Sequence, residues 1–299
     1  MKIGLALGSG SARGIAHIGV LKAIEQLNIP IDLIAGSSMG AFIGAAYSAG
    51  QSIEQMEENT EKATWHETVR MFIPTFSKGG LVKGKRISGF IQERVGASDF
   101  GELHIPLAVD TTDLETGEKF SITSGDLIAA VRASMAVPTV LTPKIIDGRV
   151  LVDGGLVSPV PIRTVRDMGA DFIIAVDVMP PIEANYKRNR SGWEDSLRKM
   201  VRENATLKRF ISEDLLPKGK EMTEQDVGIF EVFQQSMNIG HTKLAEYQVE
   251  LEQPDVLIRP DTKDYYAYDF HKAHTLIERA YALAMDILSK KQDVFDQAN

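Results

Sequence analysis

The chain contains no cysteine. That excludes disulfides, thiolate metal sites and cysteine nucleophiles, and it suits a reducing compartment such as the cytoplasm. Positive charge is also scarce: 33 Lys and Arg stand against 41 Asp and Glu, a formal net charge of −8. Nucleic acid is not expected as a partner, because phosphate binding needs concentrated Lys and Arg. A general polybasic attraction to anionic lipid is not expected either. Long apolar runs are missing. With no stretch of roughly 18 apolar residues, no transmembrane helix is expected. The apolar start, Ile3 to Leu7, is too short for a signal-peptide core and Arg13 follows too soon. It reads as the first strand of the mature fold.

What is present is enough for a large core, since 43% of the 299 residues are hydrophobic. Residues 2–7 read as a buried strand, followed by the small-residue loop Gly8-Ser9-Gly10-Ser11-Ala12-Arg13-Gly14. Ile15, Ile18, Leu21, Ile24 and Leu27 then recur at helical spacing. Leu33-Ile34-Ala35 is a second strand and residues 40–49 a helix rich in Gly and Ala. Strand, Gly-rich turn, helix, strand, sharp turn, helix argues for a parallel α/β sheet. Residues 51–104 read as mostly helical, 106–109 as a strand and 125–136 as a helix. Residues 144–146 and 149–152 read as a hairpin turned by Asp147-Gly148. A short helix at 161–168 and a buried strand at 172–178 follow. Residues 180–225 mix Trp193, Leu197 and Met200 with Lys and Arg, and read as an insertion: either a cover over the site that touches lipid, or a solvated helix packing its apolar stripe on its own domain. A helix at 226–250, a strand at 255–259 and a helix at 270–289 close the chain. No repeat or linker divides it. The expectation is one domain over 1–299, with a core at 1–179, the insertion or lid at 180–225, and a helix–strand–helix unit at 226–299.

The strongest chemical signal is Gly36-Ser37-Ser38-Met39-Gly40, which follows an apolar strand and opens a helix. That is the context of a nucleophile turn: small neighbours let the chain turn sharply and expose the central serine, Ser38. The helix N-terminus behind it favours developing negative charge. Ser37 competes but is not central. Without further support, the same residues could form a glycine-rich packing turn. The loop 8–14 offers backbone N–H groups ahead of a helix, suited either to a dinucleotide phosphate or to an oxyanion. A dinucleotide site wants an acidic residue at the end of the second strand, where this chain has Gly36-Ser37. Of the six histidines (His17, His66, His104, His241, His271 and His274), none has a strand-end context. His17 reads as packed inside the first helix. Asp153-Gly154-Gly155 does follow an apolar strand, so Asp153 is the candidate base.

These residues resemble the bacterial patatin-like phospholipases, of the branch related to neuropathy target esterase. The resemblance rests on residues 8–14, Ile15-Ala16-His17-Ile18-Gly19-Val20-Leu21, Gly36 to Gly40, Ala133-Ser134-Met135-Ala136-Val137-Pro138 and Asp153-Gly154-Gly155. It extends to residues 255–260 and Asp269-Phe270-His271, and so covers nearly the whole chain. It implies a three-layer α/β/α fold with a mostly parallel sheet. It also implies a lipid acyl hydrolase that needs no metal or cofactor and acts on a lipid or phospholipid ester, cytoplasmic and touching the membrane peripherally. Ser38 would be the nucleophile and Asp153 the general base, with oxyanion donors near Gly10 and Ser11. Gly8, Arg13, Gly14, Gly36, Gly40, Gly154 and Gly155 would support the motifs, Arg13 as an anchor or as a phosphate ligand. The family often has three successive glycines where this chain has Ser9-Gly10-Ser11. Ser11 must therefore find accessible backbone angles if it is to donate. Acyl transfer to another acceptor, or a regulator that keeps the fold without activity, are the alternatives.

Overall fold

Apolar residues at strand and helix periods generate an alternating chain, seen here in a computed structural model. It describes residues 1–62, 85–138, 140–180, 229–265 and 272–296. In chain order the elements are β1 (Ile3–Leu7), α1 (Ala16–Gln26), β2 (Leu33–Ser37), α2 (Met39–Ser48), α3 (Ile53–Lys62) and α4 (Lys85–Val95). Then come β3 (Leu107–Asp113), β4 (Lys119–Ile122), α5 (Leu127–Ser134), β5 (Lys144–Ile146), β6 (Arg149–Asp153), α6 (Ile162–Asp167) and β7 (Phe172–Val176). The last are α7 (Ile229–Glu252), β8 (Val256–Ile258), α8 (Ala273–Ser289) and α9 (Gln292–Asp296). Residue contacts divide the chain into two units, Met1–Pro180 with His241–Asn299, and Pro181–Gly240. The second unit is described only from Ile229, as helix. The expected insertion and cover lie outside the described residues, apart from residue 180.

The first unit is built on one mixed sheet, paired in the order β5-β6-β3-β2-β1-β7-β8 with β4 also on β3. The β3-β2-β1-β7-β8 pairings are parallel, while β4, β5 and β6 join antiparallel. Alternation along β1 sorts the two faces. Ile3, Leu5 and Leu7 point into a core with Ile18 and Leu21 of α1, Ile43 of α2 and Ile277 of α8. Each such fully buried Ile or Leu contributes roughly 2 kcal/mol. Ala6 faces the other way, into a smaller cluster with Ala35, Ala108 and Ala175, Ile162 and Val165 of α6, and Ala245 of α7. Large side chains on one face and small ones on the other give three layers. The Asp147-Gly148 hairpin forms as its sequence dictates, with φ of 48° and 77°.

β3 fixes where the site falls. Its residues 107–110 pair with β2, and 111–113 pair with β6. β4 pairs with 109–112 and so overlaps both partners. A strand has only two edges; β4 occupies one, so β2 and β6 must share the other, end to end. β2 stops with Ser37 opposite Asp110, and β6 arrives from the other direction with Asp153 opposite Thr111. Two strand ends far apart in sequence thereby abut. The sequence reading ended this strand at residue 109 and did not foresee β4. The cause is the polar run Asp110-Thr111-Thr112-Asp113, which is nonetheless buried.

Candidate active site

Ser38 sits between β2 and α2 with φ 53° and ψ −118°. A non-glycine residue held at positive φ costs about 1–3 kcal/mol and persists only where its surroundings enforce it. Gly36 and Gly40 supply room. A Cβ at Gly36 would lie 2.5 Å from Ala41 Cα, and one at Gly40 would lie 2.1 Å from the Leu7 carbonyl oxygen. The start of α2 is thus pressed onto the ends of β1 and β2. None of the motif glycines at 8, 10, 14, 36, 40, 154 and 155 holds a left-handed φ, whereas Ser11 and Ser38 do. In both loops the glycines provide space and the serines carry the unusual angles.

The abutting strand ends put Ser38 Oγ 2.7 Å from Asp153 Oδ2, with the hydroxyl donating. The other carboxylate oxygen, Oδ1, accepts the Gly155 N–H at 2.7 Å. The Asp153 backbone is fixed as well: its N–H donates to Ala136 O, and its carbonyl accepts from Thr112 Oγ1. Gly154 lets this turn press on β3, since a Cβ there would lie 2.1 Å from the Asp110 carbonyl oxygen. A Cβ at Gly155 would meet Ser9 Oγ at 2.8 Å, so the first loop lies against the same turn. Asp153 is 2% exposed. Burial raises its pKa to about 6, against the lowering effect of the bonds from Ser38 and Gly155. The result is a carboxylate whose basicity is brought toward neutral pH, with Oδ1 held by the Gly155 N–H and Oδ2 on the serine hydroxyl.

Loop 8–14 is anchored at both ends. Gly8 N–H donates to Val176 O, Ser9 N–H to Pro159 O and Arg13 N–H to Gly10 O. His17 Nε2 bonds the Gly8 carbonyl at 2.8 Å, which fixes the ring proton on that nitrogen. Arg13 is buried, and its Nε donates to the Tyr265 carbonyl at 2.8 Å, an anchoring contact. Gly14 lies under Met39, where a Cβ would come within 2.4 Å of Cγ. Among the described residues no acceptor is found for the Gly10 or Ser11 N–H. Gly10 does not hold a left-handed backbone. Its φ is 169°, and a Cβ there would meet Val178 Cγ2 at 2.4 Å, so the constraint is packing at the end of β7. Ser11 carries the left-handed angle, 51°.

Ser37 is fully buried and its hydroxyl has no partner among the described residues. No histidine among the described residues bonds Ser38 or Asp153. His17 is enclosed, with burial lowering its pKa to about 4. His104 and His274 are exposed, while His66 and His271 lie outside the described residues. Among the described residues no group of three or more His, Asp or Glu is arranged to hold a metal. Two groups that shape the site had no role in the sequence reading. Thr112 holds the Asp153 carbonyl, and Ser134 Oγ accepts the Ser38 N–H at 2.8 Å. The polar run that follows Val109 was the available signal for the first. Ser134 stood in a matching motif without an assigned chemistry.

Comparisons with known proteins bear on the family. Residues 5–166 match the family described as patatin-like phospholipase. An uncharacterised NTE family protein of Mycobacterium tuberculosis is 30% identical, over 96% of this chain and 91% of its own. Neuropathy target esterase sws of Drosophila melanogaster is 35% identical over 64% of this chain, and lysophospholipase nte1 of Aspergillus fumigatus 34% over 59%. The matched regions are only 14% and 12% of those two longer proteins. Among solved structures, VipD from Legionella pneumophila aligns with a TM-score of 0.45 at 11% identity, over 97% of this chain and 66% of that one. Sequence match, sheet architecture and the extent of the mycobacterial likeness together lead to one assignment: the chain belongs to the patatin-like phospholipase family and is a lipid acyl hydrolase.

Proposed function

We propose that the chain cleaves carboxylic esters of phospholipids or lysophospholipids with Ser38 and Asp153 as a catalytic dyad. The observation that carries this reading is the 2.7 Å bond from Ser38 Oγ to a buried carboxylate whose pKa is raised to about 6. Ser38 Oγ attacks the ester carbonyl carbon while its proton passes to Asp153 Oδ2. The negative charge on the former carbonyl oxygen is met by the N–H groups of Gly10 and Ser11. As the tetrahedral species collapses, Asp153 returns the proton to the leaving alcohol and an acyl-Ser38 ester remains. Water then attacks this ester with Asp153 again as base, releasing the fatty acid. The Gly155 N–H holds the carboxylate so that one oxygen faces the serine throughout. Peripheral contact with a lipid surface in the cytoplasm belongs to the same proposal, since the substrate resides there.

The test is hydrolysis of a short-chain nitrophenyl ester and of a lysophospholipid, together with covalent labelling by a fluorophosphonate. Ser38→Ala should abolish labelling and lower turnover by about a thousandfold or more, and Asp153→Asn should do nearly as much. Dyad members act as a unit, so the double variant should be little worse than either single one. Near-normal turnover in folded Ser38→Ala would reject the proposal.

A further inference from the structure

The strained backbone of Ser38 needs something to hold it, and one side chain does so. Ser134, the last residue of α5, is fully buried. Its Oγ accepts the Ser38 N–H at 2.8 Å and donates its own proton to the Asp110 carbonyl at 2.6 Å. The Asp110 carbonyl lies at the junction where β2 gives way to β6 along β3. It is also the atom on which Gly154 rests. Asp110 is itself immobilised. Its carboxylate accepts from Ser121 Oγ at 2.6 Å and from Ser158 Oγ and Thr164 Oγ1, each at 2.7 Å. One carbonyl therefore references both halves of the dyad, the serine through Ser134 and the aspartate through Gly154.

We propose that Ser134 is a positioning residue for the hydrolysis: it holds Ser38 at positive φ by bonding its N–H, so that Oγ stays aligned on Asp153 Oδ2. This rests on the dyad reading. Ser134 touches no reacting atom. A second consequence follows from donor accounting. Because Ser134 takes the Ser38 N–H, that group is not an oxyanion donor, and the duty falls elsewhere. Without the hydroxyl, a buried N–H and a buried carbonyl lose their partner together, and the elbow can relax toward ordinary angles. A shift of about an ångström in the nucleophile is enough to cost roughly a hundredfold in rate.

The experiment compares wild type, Ser134→Ala, Ser134→Thr and Ser38→Ala by kcat, KM, fluorophosphonate labelling rate and thermal unfolding. Ser134→Ala should lower kcat about tenfold to a hundredfold with KM changed less than about threefold, and labelling should slow in step. Ser134→Thr keeps the hydroxyl and should recover most of the loss. The acid limb of the rate profile should move to higher pH than in wild type, because the Ser38 bond that lowers the Asp153 pKa is weakened. A purely structural role would lower the unfolding temperature and leave kcat of the folded enzyme intact, and that result overturns the inference. If Ser134→Ala does not fold, Ser134→Cys leaves no cavity and weakens both bonds. The same kcat loss is then required, and normal kcat refutes the inference. Ser38→Ala separates the two ideas. If it remains active, the dyad reading fails; if it is inactive while Ser134→Ala is normal, only the positioning role fails.

Discussion

To act as the proposed base Asp153 must be charged, yet it is buried where charge is costly. The compromise appears in its pKa, raised to about 6 by desolvation and held from rising further by the bonds from Ser38 and Gly155. A rate profile reports this directly. With Asp153 as base, kcat/KM should rise with pH through an acid limb near 6 and level off above it. Nitrophenyl ester hydrolysis across about pH 4 to 9 measures it, and a limb near the ordinary aspartate value of ~3.9 would mean a solvated carboxylate. At this scale the sequence was informative. Ser38 stood between glycines at a strand-to-helix turn, and Asp153 closed an apolar strand. What it could not supply was the bond between them, or the strain at Ser38. Both depend on partners about a hundred residues away, as the separation of Ser38 from Ser134 and Asp153 makes plain.

At the scale of elements, the loop 8–14 is where the structure changes an argument most. Gly10 has an extended backbone, with φ 169°, so left-handed freedom is not what its position demands. Instead a Cβ there would run into Val178 at 2.4 Å. Gly10→Ala should therefore push the loop off the end of β7. If the loop carries the oxyanion donors, losing that alignment costs about 3 kcal/mol of transition-state stabilisation, roughly a hundredfold in kcat. Crowding adds about 1–3 kcal/mol of lost stability, which unfolding experiments would detect. Ser11 behaves oppositely. It holds φ at 51°, so Ser11→Gly relieves a left-handed serine and keeps the N–H. Turnover should remain within about twofold of wild type, with no loss of unfolding temperature. Normal turnover in folded Gly10→Ala would leave the loop as packing only. The helices and the central parallel strands were readable because their apolar periods are local. The junction of β2, β3 and β6 was not. It is a pairing between distant segments, written in a polar run that reads as a loop until its partners arrive.

The whole molecule brings two buried titrating groups into opposition. His17 has its pKa lowered to about 4 by burial, so its contribution to stability is present above its unfolded value of ~6.5 and is lost as pH falls through about 4. Asp153 has the reverse sign. Its folded pKa of about 6 lies above the unfolded value, so its contribution is present below ~3.9 and is lost as pH rises through about 6. Each is worth about 3 kcal/mol on the order of magnitude of the shifts. Between roughly pH 6.5 and 4 the two trends offset each other, and these two groups together leave wild-type stability changing little there. Asp153→Asn removes one of them. The variant should unfold at a higher temperature than wild type at about pH 8, where the buried carboxylate is charged, and the advantage should shrink toward about pH 4. The remaining shifted groups, such as Asp177 (raised by burial) and Asp113 (lowered chiefly by its bond from Arg149), are common to both proteins and cancel in the difference. Unfolding temperatures of the two proteins measured side by side across that range decide the matter. A constant difference would mean that Asp153 is charged as readily in the folded chain as in the unfolded one. The carboxylate would then lack the burial on which its proposed role as base rests.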